Sequence, residues 1–349
     1  VQVLAQARTE RSQSCLGGGV GRHAGPDELA VDRRHQDHVA LAPGQHPGQQ
    51  GVHEGDGRPQ VHVDQAIAAH GRAFRKTQEF DPFRRSDPDL LSRLRGGTWP
   101  PEEGVSHMPQ PTIVLVHGAW ADGSSWNPVS VALQGEGFDV LTPPNLLHGV
   151  AGDSAYVASF LSQRTTGPVV LVGHSYGGVV ITNAGAKGGD VKALVYVNAF
   201  IPDEGESVFD ILGGTGSALD VPDPTTVLDL AGYPDAPEGD VEAFLKASTV
   251  HESFAQDLPE ADRNLIVASQ RPIALGANIG QTEAPAWKSI PSWAVLGTED
   301  KVIPIGALRS MAERAGATIS EVPGSHVSMV SNPDATIAAI KAAVASADA

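Results

Sequence analysis

The feature that most restricts this chain is the pentapeptide Gly173-His174-Ser175-Tyr176-Gly177. It sits directly between a uniformly apolar, β-branched run (Val169 to His174) and a helix-like segment (Gly177 to Ala186). A serine in that context occupies a sharp strand-to-helix turn, and the flanking glycines leave room for the close backbone approach that the turn imposes. Gly178 extends the same room. The turn predicts an exposed nucleophile at the carboxyl edge of a sheet.

Similar short apolar runs recur at Thr112 to His117, Asp139 to Thr142, Ala193 to Asn198, Ser292 to Leu296 and Thr318 to Val322. Runs that are apolar throughout, rather than alternating, predict strands buried on both faces of a parallel sheet. Helix-like segments lie between them at Ser125 to Gln134, Ser154 to Gln163, Ile305 to Ala315 and Pro333 to Ala345. The expected class is therefore α/β, with a mainly parallel sheet of about six strands and helices on both faces. One connection breaks the rhythm: about 90 residues separate the fourth strand, ending near Ala199, from the next, starting near Ser292. This insert, about 201–290, opens with Gly-, Pro- and Asp-rich text and predicts helices around Asp240 to Ser248 and Pro259 to Ser269. An insertion at the carboxyl edge of a parallel sheet, where ligands bind, is expected to form a cap over the site.

A serine hydroxyl is a poor nucleophile at neutral pH, so a base must take its proton and a carboxylate must hold that base in the right tautomer. On a strand–serine–helix turn the chain order is Ser, acid, His. Asp300 follows the strand SWAVLG, 125 residues beyond Ser175, and His326 follows the last strand 26 residues later. His117 and His174 compete as the base, but their places beside strand ends suit packing roles; His148 lies in a loop and His251 in the insert. Among acids, Glu299 adjoins Asp300 at a position that points elsewhere, and Asp203, after the preceding strand, is an alternative carboxylate. The oxyanion needs two preorganised N–H donors, one from the residue after the nucleophile and one from the loop after the first strand. These are Tyr176 and Ala119, the latter in His117-Gly118-Ala119-Trp120. Trp120 and Trp126 either line the pocket or pack in the core.

At these residues residues 108 to 349 resemble the α/β-hydrolases, of the compact type that includes plant methyl esterases, hydroxynitrile lyases and bacterial esterases. The carriers are LVHGAW (Leu115 to Trp120), GHSYGG (Gly173 to Gly178), GTEDKVIP (Gly297 to Pro304) and SHVSMVSNP (Ser325 to Pro333). The resemblance implies an α/β-hydrolase fold and a Ser175, His326, Asp300 triad that works without cofactor or metal. Cyanohydrin-cleaving members carry a Thr directly after the first motif His and a Lys directly after the catalytic His; here those positions are Gly118 and Val327. The implied activity is hydrolysis of small to medium carboxylic esters. Lyase-like or other cofactor-free chemistry, and ligand binding without turnover, are the alternatives.

Composition restricts partners and divides the chain. With 24 Lys+Arg against 41 Asp+Glu the net charge is −17, which repels phosphate backbones and anionic membranes and so argues against nucleic-acid or lipid partners. One cysteine, Cys15, cannot close an internal disulfide, and no run of apolar residues is long enough to span a membrane. The expected location is cytoplasmic and the expected partner a small-molecule ester. Residues 1–107 hold 12 Arg to 1 Lys and 8 of the 13 His, with no sustained apolar period. They are expected to be disordered or a spurious extension without a packed fold, preceding an α/β-hydrolase domain at 108–349. Their irregular histidine spacing fits no metal geometry.

Overall fold

The computed structural model describes residues 110–347; the expectations for residues 1–107 lie outside the described residues. The described residues open with β1 (Thr112–Val116), a 3₁₀ turn, α1 (Asn127–Gly135) and β2 (Val140–Leu141). Then come α2 (Val150–Arg164), β3 (Pro168–His174), α3 (Tyr176–Ala184) and β4 (Asp190–Val197). The insert follows, with α4 (Val208–Leu212), β5 (Leu228–Ala231), β6 (Glu242–Leu245), a π-helical turn (Val250–Phe254), α5 (Glu260–Ser269), β7 (Ile273–Ala274) and α6 (Leu275–Ile279). The chain finishes with β8 (Ser292–Gly297), α7 (Ile305–Arg314), β9 (Thr318–Val322), α8 (Ser328–Ser331) and α9 (Pro333–Ala347).

The main sheet is six-stranded, ordered β2-β1-β3-β4-β8-β9, with every pairing parallel. Its centre is apolar because it is covered twice. Val169, Val170, Leu171 and Val172 of β3 and Ala193 to Val197 of β4 are fully buried, and each large aliphatic side chain so removed from water contributes roughly 1.5–3 kcal/mol. Pro333 starts α9 without losing an intrahelical bond. That helix sets its buried Ala339, Ile340, Ala343 and Val344 on one side, against β4 and β8.

Two features of this topology place the site. From β1 the chain passes to β2 on one side and then returns to β3 on the other, so the loops leaving β1 and β3 diverge and leave a crevice at their carboxyl ends. The insert after β4 supplies the second feature. It contains a three-stranded antiparallel sheet, β5-β6-β7, where a helix was expected over Asp240 to Ser248. Glu, Ala and Leu favour helix, yet here Ala243 and Leu245 are buried while Glu242 and Phe244 are half-buried. That alternation, with ladders to β5 on one side and β7 on the other, lets sheet pairing override local propensity. The expected helix at Pro259 to Ser269 is present as α5.

Candidate active site

Ser175 holds the turn between β3 and α3 with φ 53° and ψ −124°, a conformation that costs a non-glycine residue free energy and persists only where the surroundings enforce it. They do so through hydrogen bonds. The Ser175 carbonyl accepts from the amides of Gly178 at 2.9 Å and Phe200 at 3.2 Å. The turn also demands small neighbours: a Cβ on Gly177 would lie 2.5 Å from the Val116 carbonyl oxygen, and one on Gly173 would lie 2.6 Å from that of Gly177.

The structure brings Ser175, His326 and Asp300 into one hydrogen-bonded chain. Ser175 Oγ lies 2.8 Å from His326 Nε2, and His326 Nδ1 lies 2.8 Å from Asp300 Oδ2. An ionised carboxylate only accepts, so Nδ1 carries the proton and the Nε2 lone pair faces the serine hydroxyl. Asp300 Oδ1 accepts from the amides of Val302 and Ile303 at 2.8 and 2.9 Å, and Oδ2 accepts a second bond from Asn198 Nδ2 at 2.8 Å. The carboxylate is thus fully solvated by the protein.

The competing residues are elsewhere. Asp203 pairs with Lys288 at 2.6 Å on the surface, where hydrogen bonding to that lysine holds its carboxyl below the usual range. Glu299 is exposed. His148 stacks on Tyr233 and contacts Glu242 at 3.0 Å, and the backbone carbonyl of His251 receives Arg263.

His174 and His117 have supporting positions. His174 Nε2 donates to the backbone carbonyl of His326 at 2.9 Å, and the ring is wholly buried. Burial, reinforced by the neighbouring His326, holds its pKa well below 6.5. His117 Nε2 accepts from the amide of Asn145 at 3.2 Å, which leaves the proton on Nδ1, and that nitrogen donates to the Gly118 carbonyl at 2.9 Å. Burial lowers its pKa as well. The consequence falls on Ala119: in a trans peptide C=O and N–H point in opposite directions, so fixing the Gly118 carbonyl on His117 turns the Ala119 N–H away from that ring. Neither this amide nor that of Tyr176, the first residue of α3, has an acceptor among the described residues. Ala119, Tyr176 and Ser175 line the same cavity. The Tyr176 amide also belongs to the unsatisfied, positive end of a helix, and its phenol is anchored by donation to buried Asp153 at 2.8 Å.

Trp120 follows in the left-handed region at φ 57°. Its amide donates to the Arg271 carbonyl and its indole N–H to the Ala243 carbonyl, both at 2.8 Å, so the insert holds the loop after β1 in place. Phe254 packs edge-on against Trp120 and lies 5.2 Å, centroid to centroid, from His326. Trp126 instead is fully buried, edge-on to His174. Nothing in the sequence marked Asn198, Asp153 or Phe254, because each acts through a partner distant along the chain.

Above Ser175 is a cavity of about 1010 Å³. Its apolar wall includes Phe200, Val208, Leu212, Leu228, Ile273 and Leu275, most of them from the insert, which is therefore a cap. Asp210, Asp220 and Asp223 also line it.

A parallel sheet with a strained serine between strand and helix, an acid and a histidine from later strand ends, and a cap after the fourth core strand defines a hydrolase-type α/β architecture. Residues 113–339 match the alpha/beta hydrolase family, and the chain belongs to it. The carbendazim hydrolyzing esterase of Nocardioides sp. (strain SG-4G) is 35% identical over 112 residues, 29% of this chain and 46% of that protein, so the match spans less than half of that relative. The pyrethroid hydrolase of Sphingobium wenxiniae is 26% identical over 253 residues, 65% of this chain and 85% of that protein. In fold, the chain is similar to the crystal structure of polyneuridine aldehyde esterase, with a TM-score of 0.55 at 20% identity, covering 67% of this chain and 98% of the other. The relatives are distant, and all three are named as hydrolases or esterases.

Proposed function

We propose that this protein is a serine hydrolase that cleaves carboxylic esters through an acyl-enzyme, with Ser175 as nucleophile, His326 as base and Asp300 as orienting acid. The observation that carries the reading is the unbroken chain Asp300–His326–Ser175, at 2.8 Å per link, beside a cavity that Ala119 and Tyr176 also line, their amides without acceptors among the described residues. In the proposed reaction Ser175 Oγ attacks the ester carbonyl carbon while its proton passes to His326 Nε2. The Ala119 and Tyr176 amides take the charge that develops on the carbonyl oxygen. Collapse expels the alcohol, which leaves with the proton from His326. Water then repeats the sequence on the acyl-serine, releasing the acid and restoring the hydroxyl. Asp300 stays ionised throughout and stabilises the imidazolium.

The cavity supports a substrate class. About 1010 Å³ is at the upper end of drug-sized sites, and its wall is mainly apolar. Neutral esters with a substantial apolar part fit. Lyase chemistry lacks support in the same residues. Val327 is a buried apolar side chain where a lysine would be needed, and any Cβ at position 118 would meet Ser175 Cβ at 2.6 Å.

Assay of a neutral aryl ester with the wild type and Ser175→Ala side by side tests the reading. Turnover by the first and none above background by the second is the expected result; equal rates, or no turnover of any neutral ester by the wild type, would refute it.

A further inference from the structure

We propose that Asn198 is a positioning residue of this site: its side-chain amide holds Asp300 as an ionised acceptor and ties the acid's loop to the base's loop. Asn198 follows β4, is fully buried, and sits in the left-handed region at φ 45°, which asparagine tolerates better than most residues. Its Nδ2 donates to Asp300 Oδ2 at 2.8 Å and to the Ser325 carbonyl at 3.1 Å, while Oδ1 accepts from the Ser328 hydroxyl. One side chain therefore joins the loop after β8, which carries the acid, to the residue preceding His326 and to α8, which follows it.

The orientation of that amide is forced by its neighbours. Turned over, Asn198 would set its oxygen against a carboxylate oxygen and a carbonyl oxygen at once, and its NH₂ against a hydroxyl. In the orientation present, every polar atom of the side chain is satisfied. An NH₂ group has no means of accepting a proton from Asp300, so the arrangement suits only the ionised carboxylate. It also occupies one lone pair of Oδ2, leaving the other for His326 Nδ1–H. The chain makes room for this contact: a Cβ at Gly297 would lie 2.5 Å from Asn198 Nδ2 and 2.8 Å from the carbonyl oxygens of Gly324 and Ser325.

The kinetic consequence rests on the ester-hydrolase reading, so the test includes a readout that does not. Asn198→Leu removes the donor, and Asn198→Asp keeps shape and backbone tolerance while replacing the donor by a group that donates only when protonated. Rates are normalised to sites titrated with an organophosphonate, and the low-field proton resonance of the His326–Asp300 hydrogen bond is recorded for each protein. Asn198→Leu is expected to lower kcat roughly 10- to 100-fold at nearly unchanged KM, as for a lost hydrogen bond to a charged group, and to shift or broaden the resonance. Asn198→Asp is expected to turn over only while His326 is neutral and the added carboxyl is still protonated, losing rate as that carboxyl ionises, a falling alkaline limb absent from the wild type. The proposal is overturned if both variants keep the wild-type kcat, pH profile and resonance, or if only the melting temperature falls. Should the wild type hydrolyse no ester, the proposed function fails while the resonance still decides the role of Asn198.

Discussion

His326 Nδ1 lies 2.8 Å from Asp300 Oδ2, with both side chains wholly removed from solvent. Buried polar groups are stable only when their partners are in place, and here the carboxylate also receives the amides of Val302 and Ile303. Asp300→Asn would leave the imidazole free to adopt the wrong tautomer. Its kcat is expected to fall by about 10⁴, the scale for a triad acid, whereas Asp203→Asn stays near wild type. The opposite ranking in steady-state assays would reassign the acid.

His117 is expected to act through the peptide it holds. Replacing it with Leu frees the Gly118 carbonyl, and with it the orientation of the Ala119 amide. Loss of one oxyanion donor costs on the order of 10²–10³ in kcat; partial disorder of the peptide should cost somewhat less, with KM little altered. A folded His117→Leu protein with unchanged kcat would show that the Ala119 amide is held by other means.

The buried histidines set a pH dependence of stability. Burial is the main cause of the lowered pKa of both His174 and His117, so between 6.5 and the folded values the unfolded chain binds protons that the folded chain does not. Their contribution is fully present above about pH 6.5 and is lost as pH falls below it, by up to about 1.4 kcal/mol per pH unit for each histidine. The melting temperature is expected to drop from pH 7.5 to pH 5. His174→Gln, which can still donate to the His326 carbonyl, should show a shallower drop; an equal one would remove His174 from the account.

How much of this was legible in the sequence depends on how local each signal is. The runs TIVLVH and VVLVGH became β1 and β3 because strands covered on both faces carry their burial in their own text. Ser175, Asp300 and His326 could be singled out because each follows such a run. The cap was harder to read. Its β6 has the composition of a helix and is a strand because of pairing with segments up to about 30 residues away. Asn198 lies 102 and 127 residues from the partners its amide holds, and no spacing rule reaches that far. His117 and His174 were assigned to packing; they are buried as expected, yet each also fixes a backbone group at the site.

The most direct test of the central claim is covalent labelling with an aryl organophosphonate followed by peptide mass analysis. One equivalent bound at Ser175, with activity lost in proportion and no label taken up by Ser175→Ala, is the predicted result. Labelling at another residue, or full activity after Ser175 is modified, would contradict it.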